Sequence, residues 1–164
     1  MPDAQPRGRS WGWRGVSLAV LSVLAFAAGS AAAATLSPAE QAFKTAYVKL
    51  VPTLNKASAA LVHAVDASGH ETDAQLVTAF SGVARQWATA TKPLLALHAP
   101  APEAQIFAGI SRRSRSVETD LLAVAQSGRT HSVKAAKTAG TLLVLDFNAL
   151  AKQVKLIKAK LALP

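Results

Sequence analysis

The residues with the clearest chemical potential are basic side chains on two stretches of the chain. Lysines recur at short intervals near the C-terminus, and arginines cluster around residue 113. Such groups beside an apolar surface bind lipid headgroups, anionic polymers or acidic proteins. A solvated helix face that binds nothing has the same pattern. The residues expected to form this anionic-partner face are Lys152, Lys155, Lys158, Lys160, Arg112 and Arg115.

Histidines near one end of the predicted fold form a second candidate site, for a metal ion. His63 and Asp66 are three residues apart and can share a helix face, and His70 and His131 fall near the same end. Imidazole and carboxylate together suit zinc or copper in a chain without cysteine. Surface histidines near helix ends would look the same, because no recognised metal motif spaces these residues.

An isolated acid in the C-terminal helix indicates an ion pair between helices. Asp146 stands within the apolar run 142–147, and counting from the predicted turns places Arg85 and Arg113 near its height. A partly buried Arg–Asp pair usually fixes helix register without adding much net stability. We therefore expect a structural polar layer of Arg85, Arg113 and Asp146, which could also line a small polar pocket.

The sequence carries no catalytic or cofactor signature. There is no G-x-S-x-G motif, no glycine-rich phosphate loop and no Glu-x-x-His pair, and the single methionine is Met1. The absence of cysteine excludes haem attachment through C-x-x-C-H. We expect a non-enzymatic protein without a cofactor. Nucleic acid is not an expected partner, since no groove-binding motif is present.

The N-terminal segment has the pattern of a secretory signal peptide. Arg7, Arg9 and Arg14 precede an apolar run, Val16–Ala28, and four alanines end at Ala34. The apolar run is shorter than the roughly 20 residues that a spanning helix needs. We expect residues 1–34 to be cut off after Ala34 and the protein to be secreted or associated with the cell envelope; an uncleaved membrane anchor is the alternative.

The remaining residues, 35–164, predict one domain of four amphipathic helices. Helices are expected at about 38–67 (kinked at Pro52), 73–98, 102–127 and 131–163, and the short turns favour an up-down-up-down four-helix bundle. Capping boxes at Ser37–Glu40 and Thr72–Gln75 mark two helix starts. The longest apolar stripe consists of Val133, Ala136, Gly140, Leu143, Phe147, Leu150, Val154, Ile157 and Leu161.

These features predict an exported helical bundle that acts as an interaction module at or outside a bacterial cell envelope. Its expected partner is anionic: an envelope polymer, a membrane surface or an acidic protein. The alternative is a carrier or sensor for a metal ion or small ligand, bound through the histidine end or the Arg113–Asp146 layer. The oligomeric state is not determined by the sequence.

Overall fold

The computed structural model describes residues 36–163, in which every regular element is helical and no strand occurs. Four long helices pack against each other, which confirms the predicted all-α fold. The predicted signal peptide, residues 1–34, lies outside the described residues. The helices are α1 (Pro38–Ala67), α2 (Asp73–Leu95), α3 (Ala101–Arg129) and α4 (Val133–Lys160), with a short 3-10 turn, Ser68–His70, after α1.

Two of the helices begin at capping boxes. The Ser37 hydroxyl accepts a hydrogen bond from the Glu40 backbone N–H, and the Glu40 carboxylate accepts one from the Ser37 N–H at 2.7 Å. Thr72 and Gln75 make the equivalent pair at the start of α2. These bonds satisfy backbone donors that the first helical turn leaves without partners. Pro52 lies inside α1, which continues through it without a break.

The core is formed by one apolar face of each helix, as helical spacing dictates. Aromatic rings link the helices: Phe43 of α1 meets Phe107 of α3 edge-on, with ring centroids 5.2 Å apart. Trp87 of α2 meets Phe147 of α4 at 6.1 Å. Aliphatic side chains fill the space between them, and those that are almost completely inaccessible include Leu61, Leu76, Ile110, Val117, Leu121, Leu143, Ile157 and Leu161.

The helices pack in chain order. The extensive contacts are those of α1 with α2, α2 with α3, and α3 with α4, whereas in residues 36–163 α1 and α4 approach each other at few positions. A seam therefore separates α1 from α4. It is bridged at one end, where the Lys44 ammonium group donates a hydrogen bond to the carbonyl oxygen of Ala162 at 3.2 Å.

The two ends of the four-helix structure are defined by specific contacts. At the first, which we call the Phe43 end, the starts of α1 and α3 meet the end of α4, and Lys160 donates to the carbonyl of Pro102 at 2.9 Å. At the second, the His131 end, the end of α3 lies against the start of α2. A Cβ atom on Gly128 would stand 2.8 Å from Val77 and 3.1 Å from the carbonyl oxygen of Asp73, so this approach requires glycine.

None of the helices in the described range combines the length and the apolar character that a membrane span requires.

Candidate functional site

The middle of α3 exposes two arginines over an open depression. Arg112 and Arg115 are three residues apart and are neighbours on the helix surface. The depression measures about 680 Å³, and its lining consists of four small or hydroxyl-bearing residues, two arginines and two acids. One guanidinium group can donate two parallel hydrogen bonds to two oxygens of a carboxylate, phosphate or sulfate, so the surface can accept an anionic group. The residues that line it are Ala108, Ser111, Arg112, Arg115, Ser116, Thr119, Asp120 and Asp146.

An ion pair and a second acid lie at the edge of this depression. The Arg113 guanidinium donates to the Asp146 carboxylate at 2.5 Å, joining α3 to α4. The pair is only partly buried, since 43% of the Arg113 side chain and 20% of the Asp146 side chain are exposed. Asp120 stands seven residues after Arg113, on the same side of α3, and is buried.

Burial makes Asp120 an unusually weak acid. Its Oδ2 atom has no hydrogen-bond partner. Loss of hydration raises the pKa of this carboxyl group from 3.8 to about 6, and the negative charge of Asp146 adds to the effect. When protonated, Asp120 can donate a hydrogen bond to Asp146. Asp120 therefore tends to carry a proton below about pH 6.

A second pair of carboxyl groups lies at the Phe43 end. Glu103 is almost completely buried, and its Oε2 atom lacks a hydrogen-bond partner. Burial, together with the nearby charge of Glu40, raises the pKa of Glu103. Hydrogen bonds with Ser37 lower the pKa of Glu40, which favours its ionised form. Glu103 is therefore the member of this pair that tends to carry the proton.

Charged side chains divide unequally between surface and interior in residues 36–163. Twelve of the fifteen basic residues are exposed, whereas Asp66 is the only exposed one of the eight acidic residues. Such a surface attracts anions over roughly a Debye length, about 8–10 Å near physiological salt. The exposed basic residues are Lys49, Lys56, Arg85, Lys92, Arg112, Arg115, Arg129, Lys134, Lys137, Lys152, Lys155 and Lys160.

The lysines predicted to form one face of α4 point in different directions. Each step of three residues turns the helix back by about 60°, so Lys152 and Lys158 lie about 120° apart around the axis. Lys152 and Lys155 are exposed, while Lys158 is half-buried and burial lowers its pKa. Lys160 is tied to the start of α3 through its hydrogen bond with the Pro102 carbonyl.

Arg112 and Lys152 lie at similar heights on neighbouring helices. Arg113 contacts Asp146, and a Cβ atom on Gly109 would meet the Gln153 side chain at 3.0 Å. This register places Lys152 about one helical turn, roughly 5.4 Å, along the axis from Arg112. The exposed basic groups of α3 and α4 can therefore contact one extended anionic partner.

Arg85, predicted to belong to the polar layer, lies elsewhere. It is exposed over a shallow groove between α1 and α2, beside Thr53, Lys56 and Thr89. Near the height of Arg113, the residue of α2 that faces α3 is Trp87, whose indole N–H donates to the carbonyl oxygen of Ser114 at 2.9 Å. Two residues along a helix turn by about 200°, which puts Arg85 and Trp87 on nearly opposite sides of α2.

The predicted metal residues are spread over the surface of the His131 end. His63, His70 and Asp66 are exposed, and His131 is paired with Asp73 of α2. His131 has a φ of 50°, in the left-handed region that histidine enters more readily than most residues. Among the described residues, no three or more histidine or acidic side chains are grouped so as to hold a metal ion.

Sequence reasoning missed Asp120 as a member of the site. The signal available was its spacing: Asp120 follows Arg113 by seven residues, and residues seven apart lie on the same side of a helix. Burial of Glu103 had no such signal, since an acid in a first helical turn is normally solvated there.

Comparisons of the chain with models of protein families, with curated protein sequences and with solved structures gave no significant match.

Proposed function

We propose that the protein is an exported, non-enzymatic interaction module that binds an anionic partner through exposed basic groups of α3 and α4. The observation that supports this proposal is the segregation of charge, with twelve basic residues exposed and one acidic residue exposed in residues 36–163. Partners of matching charge are an envelope polymer, a membrane surface or an acidic protein.

The binding surface that we propose centres on Arg112, Arg115, Lys152 and Lys155. The first two rim the open depression of α3, and the register of α3 against α4 places the lysines about one to three helical turns from them along the helix axis. The small Ser and Ala side chains of the depression leave room for the partner's anionic groups. Of the two acids in the lining, Asp146 is neutralised by Arg113, and the single negative charge of Asp120 at neutral pH is outweighed by the two exposed guanidinium groups of Arg112 and Arg115.

The same proposal includes an up-down-up-down topology. Its support is that the start of α1 and the end of α4 meet through Lys44 and Ala162, while the starts of α2 and α4 meet through Asp73 and His131.

Export is proposed from the N-terminal pattern alone. The intact mass of the protein from culture medium and from the membrane fraction tests the proposal. A chain in the medium that begins at Thr35 supports export with cleavage, whereas a full-length chain in the membrane fraction contradicts cleavage.

Salt-dependent binding to an anionic polymer tests the proposed partner class. The full chain applied to a heparin column should be retained at low salt and released as ionic strength rises, because screening weakens attraction between exposed charges. The double variant Arg112→Glu/Arg115→Glu should elute at much lower salt than the wild type.

The matched control is Lys49→Glu/Lys56→Glu on α1, which changes the net charge equally at two exposed positions. It should elute close to the wild type. Equal weakening by both double variants would show that net charge alone causes retention, which contradicts the proposed surface. A wild-type chain that heparin does not retain at low salt would contradict the proposed function itself.

A further inference from the structure

A small cavity lies inside the four-helix structure beside the seam where α1 and α4 approach each other at few positions. Its floor belongs to α2 and α3, whose lining residues, among them Trp87, Leu94 and Ile110, are all buried. The partly exposed lining residues, such as Val51, Asn55 and Ala151, all belong to α1 or α4. This pattern of burial places the entrance of the cavity at the seam between α1 and α4.

The floor of the cavity carries a hydroxyl group without a hydrogen-bond partner. Ser114 is 1% exposed, and its Oγ atom makes no hydrogen bond. The other buried serine and threonine side chains in residues 36–163, those of Ser68, Thr91 and Ser127, each donate to a backbone carbonyl three or four residues earlier. A buried polar group without a partner is costly, and a bound molecule with one hydrogen-bonding group would remove this cost.

The walls determine what kind of molecule fits. They are mainly apolar and include the rings of Tyr47, Trp87 and Phe147, and no charged side chain lines the cavity. Burial raises the pKa of Tyr47 to about 12, so this wall stays neutral as well. The volume is about 40 Å³. Since one water needs at least about 10–15 Å³, this is room for roughly three to four heavy atoms, with further space only toward the seam.

We propose that this cavity binds a small uncharged molecule whose hydroxyl group pairs with Ser114 and whose short apolar body lies against the aromatic rings. A short-chain alcohol is the simplest member of this class. Longer members extend into the seam between α1 and α4, where Val51 and Val154 provide partly exposed apolar surface. The site is separate from the basic surface of α3 and α4 and does not depend on it.

Fluorine NMR of the full chain labelled with 5-fluorotryptophan tests the proposal, with 1-propanol as the probe. Trp87 lines the cavity, whereas Trp11 and Trp13 lie in the predicted signal segment and serve as internal references. The Trp87 resonance, assigned through Trp87→Phe, should shift along a saturable curve. Ser114→Ala should weaken binding about fivefold through loss of one hydrogen bond.

Two further variants separate the site from general solvent effects. Ser116→Ala removes a hydroxyl two residues away, outside the cavity lining, and should leave propanol binding unchanged. Ala151→Leu fills the entrance at a partly exposed position and should abolish the saturable shift while the far-ultraviolet circular dichroism stays that of the wild type. Arg112→Glu/Arg115→Glu should bind propanol normally, which keeps this result distinct from the heparin experiment.

Three results would overturn the proposal. A Trp87 resonance that does not respond to propanol would mean that water alone occupies the cavity. A linear response parallel to those of Trp11 and Trp13 would show a solvent effect. Equal affinities of wild type and Ser114→Ala would remove the hydroxyl from the site.

Discussion

Replacing Asp120 by asparagine should stabilise the protein at neutral pH and leave its stability unchanged in acid. The folded state raises the pKa of Asp120 from 3.8 to about 6, chiefly because the carboxyl group is buried. Below about pH 4 this group is protonated in both the folded and the unfolded state. Between about pH 4 and 6 the unfolded chain releases the proton while the folded chain keeps it, so the free energy of unfolding falls as the pH rises.

The size of the effect follows from the shift. One pKa unit corresponds to about 1.4 kcal/mol, so a rise from 3.8 to about 6 costs the folded state up to about 3 kcal/mol once both states are ionised. Asparagine cannot ionise, and its amide can donate to Asp146 as the protonated acid does. The difference between Asp120→Asn and wild type should therefore grow from near zero at pH 4 to about 3 kcal/mol at pH 7.

Urea unfolding followed by circular dichroism between pH 4 and 7 measures this difference. Glu118→Gln is the matched control, because it makes the same change of charge two residues away on α3. A difference between Asp120→Asn and wild type that stays constant with pH would refute the assignment of a raised pKa to Asp120.

Four further substitutions test the packing of the helices. Glu103→Gln should raise the melting temperature more at pH 7.5 than at pH 4.5, because burial raises the pKa of Glu103 and its ionised form is the destabilising one. Gly128→Ala should lower the free energy of unfolding in urea by about 1–3 kcal/mol, because the new Cβ atom clashes with Val77. Gly82→Ala is the control: a Cβ atom there has no neighbour within 4 Å, so this change should raise the free energy of unfolding by up to about 1 kcal/mol. Trp87→Phe should cost at least about 1 kcal/mol by the same measurement, since it removes the hydrogen bond to α3; an unchanged unfolding midpoint would contradict the contribution of that bond.

The all-helical fold was predictable because helical periodicity and end signals agree along the chain. Both predicted capping boxes are confirmed, and of the nine stripe residues of α4 all are buried or half-buried except Val133. Val133 begins α4 at the His131 end and is 58% exposed, so the stripe is not buried along its whole length. Periodicity identifies the face of a helix but not how far its neighbours extend along it.

The site was less predictable because sequence spacing does not determine which neighbour a residue faces. The position of a residue along its helix can be counted from the predicted turns, and this count places Arg113 beside Asp146. The two side chains are in contact in the structure. Arg85 has a comparable height but lies on the opposite side of α2 from Trp87. The spacing of the lysines by three likewise conceals a rotation of about 60° per step, which separates Lys152 from Lys158.

Packing in chain order has a consequence for how the protein folds and opens. Each extensive interface joins helices adjacent in sequence, so most contacts close short loops, and such topologies fold quickly. α1 has one extensive partner, α2, whereas α2 and α3 each have two. The amide hydrogens of α1 should therefore exchange with solvent before those of α3. The exchange occurs through partial openings that release α1 and leave the α3–α4 pair folded.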